Sequence, residues 1–111
     1  MQVKLWLIID TKDRTNRAQA ERVVESGFTL TPGMMVEDFA WKYARTAKGV
    51  SFSTDTPDTL SVFMGREDAE SEAHFRQVVE MDQDHGWTVK VYGEGNEHHA
   101  ERGAWRRGEG R

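Results

Sequence analysis

The sequence contains no cysteine. That excludes a disulfide framework, a thiolate metal site and a cysteine nucleophile. It has only two prolines, Pro32 and Pro57, each within a run of turn-forming residues. Long hydrophobic stretches are missing too. The longest, Leu5-Trp6-Leu7-Ile8-Ile9, suits a strand and falls far short of the ~18–20 residues of a membrane span. Asp10, Lys12 and Asp13 interrupt it too early for a signal peptide, so the expectation is a cytoplasmic protein without membrane contact. The familiar catalytic signatures are absent as well. No glycine-rich phosphate loop follows a strand, and no serine sits in a nucleophile elbow.

What is present is one domain's worth of chain, 111 residues with 31% charged and 37% hydrophobic side chains. The net charge of −4 is unevenly placed. Residues 1–48 carry eight basic and six acidic side chains, residues 49–97 three and eleven, and residues 98–111 four and two. An acidic centre is the wrong surface for neutralising phosphates, so direct nucleic-acid binding by the central domain is not expected. Lys48-Gly49-Val50-Ser51-Phe52 is similar to the third-strand signature of RNA-recognition motifs. Val50 and Asp55 stand where that signature carries stacking aromatics.

Residues 2–9 read as a central strand, with Val3, Leu5, Leu7 and Ile9 on one face and Trp6 and Ile8 on the other. Ala20, Val23 and Val24 follow helical spacing, and Gly27 suits a C-cap, which predicts a helix over 14–26. Residues 36–47 fit a helix by periodicity and charge order. A strand with Phe39, Trp41 and Tyr43 alternating is the competing reading. Residues 50–54 and 59–64 read as a hairpin around Asp55-Thr56-Pro57-Asp58, residues 67–85 as an acidic helix and residues 87–92 as a last strand. From Gly93 onward the chain is glycine- and arginine-rich with few apolar residues. The expected organisation is a single domain over 1–93 and a flexible tail over 94–111.

With 36–47 set aside, the order β-α-β-β-α-β predicts a ferredoxin-like α+β fold, an antiparallel sheet with two helices on one face. A superfold of this kind carries no function by itself. Its open face would present Trp6, Ile8, Phe63 and Tyr92, a patch able to pair with a second copy, to lie under residues 29–47 or the tail, or to stack a flat ligand.

The histidines assemble no metal site. His74 and His85 share the predicted helix but stand ~16 Å apart along it, and His98-His99 lies in the tail without a fixed third ligand. No cofactor is expected. The stretch Glu67-Asp68-Ala69-Glu70-Ser71-Glu72-Ala73-His74-Phe75 resembles the second helix of small dimeric α+β-barrel proteins, including antibiotic-biosynthesis-type and haem-degrading monooxygenases. That resemblance implies an enzyme using the open sheet face and His74. Arg66 occupies the neighbourhood where those proteins often carry a tryptophan.

Without a convergent catalytic set, the residues themselves point to a non-catalytic binding module rather than an enzyme. Its partner is a protein or a second copy. Glu67, Asp68, Glu70, Glu72, Asp82 and Asp84 form the expected docking surface for a basic, nucleic-acid-handling protein, drawn in by the acidic field.

Overall fold

The structure, a computed structural model, describes residues 1–93. Its elements are β1 (Gln2–Thr11), β2 (Asn16–Glu25), β3 (Met35–Val36), β4 (Arg45–Thr46), β5 (Gly49–Ser53), β6 (Thr56–Ala69), α1 (Glu72–Asp84) and β7 (Thr88–Gly93). Five strands form one sheet in the order β5-β6-β1-β2-β7, and β3 and β4 pair separately. β1 runs parallel to β6, while its hairpin partner β2 is antiparallel to both β1 and β7.

This arrangement overturns the ferredoxin-like expectation. One helix, not two, packs on a mixed sheet. The predicted helix 14–26 is β2. Its alanines favour helices in isolation, yet Ala18 and Ala20 are fully buried beside Ile9 and Leu7 of β1. Small side chains there let α1 approach the sheet. Side chains that alternate across the sheet override helical spacing once β1 offers its backbone.

Residues 36–47 are neither the expected helix nor a continuous strand. Met35–Val36 bridges Arg45–Thr46, and the chain between turns on Asp38. The Asp38 carboxylate accepts from the Ala40 N–H (2.9 Å), and its carbonyl accepts from Trp41 N–H (3.0 Å). Such local side-chain bonds compete with a helix at its outset.

α1 starts at Glu72, five residues later than the predicted 67. Residues 67–69 extend β6 instead, paired with β1 as far as Thr11↔Ala69. Ser71 caps the helix, its hydroxyl accepting from His74 N–H at 3.1 Å. The β5–β6 hairpin and β7 stand close to expectation. The hairpin tip is tighter, at Thr54-Asp55, and Pro57 lies where the β5–β6 register shifts, a place that tolerates a missing N–H. β6 also bulges against β1 at Gly65, whose φ of 99° suits glycine.

The core lies on one face of the sheet. Val3, Leu5, Leu7 and Ile9 of β1 meet Val62 and Met64 of β6 and Phe75 and Val79 of α1. The excursion between β2 and β5 packs on that same face through buried Leu30 and Ala47, with Val36, Ala40 and Trp41 against them. Residues 29–47 therefore do not fold over the Trp6 face. The expected tail, including His98 and His99, lies outside the described residues.

Candidate functional site

Two surfaces on opposite sides of the sheet gather the residues singled out by sequence. On the open side, the Trp6 and Phe63 rings meet at 4.5 Å between centroids. Ile8 follows on the same face, opposite Gln19 and Arg66. Tyr92 sits at the far end in register with Arg17. That end also holds Asp10, which the sequence presented only as a charge interrupting the apolar run. Its carboxylate is 1% exposed and receives Arg17 (2.7 Å), Arg14 (2.8 Å) and Arg66 (3.5 Å). Three guanidiniums around one buried carboxylate brace the end of β1 rather than leave an anion free for chemistry.

The other side is built by α1 and the excursion. Trp87, just before β7, is buried, and its Nε1–H donates to Asp38 at 3.1 Å. Arg22 of β2 donates to the same carboxylate (3.3 Å) and to the His85 carbonyl (2.6 Å). These bonds tie the 36–45 turn to the sheet and to the end of α1. Trp41 leans on Trp87 at 5.3 Å, and the Arg45 guanidinium lies over the Trp41 ring at 5.0 Å.

The turn borders two hollows. The larger, about 670 Å³, has Leu5, Val24, Val36 and Trp41 in its lining and Phe39 and Tyr43 on the turn beside it. Those two rings are 94% and 75% exposed. The smaller, about 300 Å³, lies between the turn and α1 and is lined by Trp41, Arg45, Glu67, His74, Met81 and Asp82, among others. Arg45 pairs with Glu67 there.

Asp82 is the unusual group. It is 2% exposed, and burial together with the Glu67 and Asp38 carboxylates pushes its pKa up to about 7 against the opposing pull of Arg45 and His85. His74 accepts the Glu70 N–H at Nδ1 (3.0 Å), which places the proton of its neutral ring on Nε2.

The six carboxylates expected on one helical face are thus divided. Glu67 and Asp82 turn into the small hollow. Glu67 and Asp68 belong to β6, and Glu70 precedes the helix. Glu70 pairs with Lys12 (3.0 Å) and Glu72 with Arg76 (2.7 Å), while Asp68 and Asp84 are exposed. His74 is on the α1 side and the Trp6–Phe63 pair on the opposite face, so the two do not share a site. Among the described residues, no group of three or more His, Asp or Glu side chains is placed to hold a metal. No helix among them is long and apolar enough to cross a membrane.

Trp41, which lines both hollows, and Arg45, which lines the smaller, escaped sequence reasoning as site residues. Asp82 carried a signal: it continues the buried stripe Phe75, Val78, Val79 at the next helical turn. No family model matches the chain, and no curated protein or solved structure is significantly similar to it.

Proposed function

We propose that the protein is a non-catalytic binding module whose docking surface is the 36–45 turn and the larger hollow beside it. The observation that carries this reading is the pair Phe39 and Tyr43, almost wholly exposed beside a cleft floored by Leu5, Val24 and Trp41. Large aromatics held out on a turn fixed at its base supply contact area at low entropic cost. The partner is a protein that inserts an apolar side chain between the two rings. Residues 49–93 hold nine acidic and three basic side chains, a field that favours a partner with a basic rim.

The acidic residues thus speed encounter, and the aromatic cleft holds the complex. Affinity capture with wild-type protein and with Phe39→Ala/Tyr43→Ala tests this. Both side chains are exposed, so the variant retains its fold by circular dichroism. A basic partner held by wild type and lost by the variant supports the reading. Equal capture by the two baits refutes it, as does capture that is unchanged between low and high salt.

A further inference from the structure

We propose that the smaller hollow, between α1 and the 40–45 turn, binds a small neutral carboxamide. This inference shares Trp41 with the docking cleft but rests on its Nε1 together with Arg45 and Asp82, and it stands without that reading. Among the described residues, three buried side-chain polar atoms have no hydrogen-bond partner within the protein: Trp41 Nε1, Arg45 Nε and Asp82 Oδ2. All three side chains line this one hollow. Buried polar groups elsewhere find partners, as Asp10 does with its arginines and Trp87 with Asp38. Orphaned groups gathered at one cavity are what a polar ligand site presents before it is filled.

The set of free atoms specifies the ligand. Two are N–H donors and the third is a carboxyl oxygen. A carboxamide answers all three: its carbonyl accepts from Trp41 and Arg45, and its N–H donates to Asp82. Arg45 is turned for this because Glu67 already takes its Nη2. Trp41 contributes its N–H rather than a stacking face, since Trp87 and Arg45 lie against its ring. The charges lining the hollow balance, with Lys42 and Arg45 against Glu67 and ionised Asp82. A carboxylate ligand would add a third acid beside two. The three orphaned atoms are sealed from solvent, and Lys42 and Met81, exposed and unbranched, are the lining side chains able to swing aside.

The test follows the Trp41 indole N–H signal by nuclear magnetic resonance, assigned with Trp41→Phe, in the whole chain at about pH 8, where Asp82 is ionised. Acetamide, acetone and acetate are the probes, similar in size and differing in charge and in what they donate and accept. The expected result is a saturable shift with acetamide. Acetone, which lacks the N–H, and acetate should each bind at least about tenfold more weakly, the usual effect of one lost or opposed polar contact. Arg45→Met, which keeps the stem and deletes the Nε–H, should weaken acetamide by a similar factor. A linear, non-saturating response to acetamide would overturn the proposal and leave water as the occupant. Acetate or acetone binding as tightly as acetamide would overturn it too. Should Arg45→Met fail to fold, the three wild-type titrations decide alone.

Discussion

Replacing Asp82 by asparagine should make the protein more stable, and increasingly so as pH rises. The side chain is buried against Glu67 and Asp38, and its pKa stands at about 7 against an ordinary value of 3.8. The folded state therefore holds a proton between about pH 4 and pH 7 that the unfolded state has already released. By linkage, stability falls as pH climbs through that window and levels off above it. A shift of about three pKa units corresponds to about 4 kcal/mol at most, and local relaxation around the carboxylate lowers what is realised. Asparagine keeps the shape and can never ionise. The expected gain for Asp82→Asn is near zero at about pH 4 and reaches about 2–4 kcal/mol by pH 8. The assay is urea unfolding of both proteins across that range, followed by tryptophan fluorescence, with the difference plotted against pH. Titrations common to both proteins cancel in the difference. A pH-independent difference, or a wild type more stable than the variant at pH 8, would refute the assignment of Asp82 as a buried carboxylate held close to neutrality.

Ser71→Ala removes the cap on α1 and should cost about 1 kcal/mol in urea unfolding. Gly65→Ala places a side chain at φ 99° and should cost about 1–2 kcal/mol from backbone strain alone, since only the flexible Lys48 side chain lies near the new methyl. Asp10→Asn weakens charged hydrogen bonds from Arg14 and Arg17 and removes the ion pair with Arg66, and should lower stability by about 1.5–3 kcal/mol, read as a fall in the urea midpoint at constant slope. In hydrogen exchange, amides of residues 3–9 in β1, flanked by β2 and β6, should exchange slowest and those of edge strand β5 fastest; the reverse order would contradict the sheet order.

β1, the β5–β6 hairpin and β7 were legible because alternation was strong and turn chemistry sat between them. β2 was not, because Ala18, Ala20, Val23 and Val24 satisfy helical spacing as well as they satisfy a strand. Only the pairing of Leu7 with Ala20 and Ile9 with Ala18 decides it, and that pairing is tertiary information. The excursion was misread for a related reason. Of the residues at helical spacing, Val36, Ala40 and Ala47 reach the core one by one from an irregular segment, while Phe39 and Tyr43 stand exposed, so there is no continuous apolar face.

For the small hollow, Glu67, His74 and Asp82 were each marked from sequence, but as charges or as a catalytic candidate. What joins them is Arg45, brought across from the excursion. A contact between residues 22 positions apart leaves no periodic trace. Asp82 was the readable exception, as a carboxylate on an apolar stripe.

The excursion also bears on how this fold can diversify. It leaves the sheet where Ser26 N–H meets the Met1 carbonyl (2.9 Å) and returns where Lys48 N–H meets the Phe63 carbonyl (2.8 Å). Both anchors are backbone bonds, indifferent to side-chain identity. Between them, the Met34 carbonyl takes the Ala47 N–H and the Ala47 carbonyl the Gly33 N–H, both at 2.8 Å, closing the neck of the segment on itself. Residues 27–47 are in effect a cassette plugged into a scaffold whose strand register is set elsewhere. Rewriting the 37–44 tip while sparing Leu30, Asp38, Trp41 and Ala47 would exchange one exposed surface for another without disturbing β1, β2 or β6, much as variable loops are exchanged on a fixed sandwich.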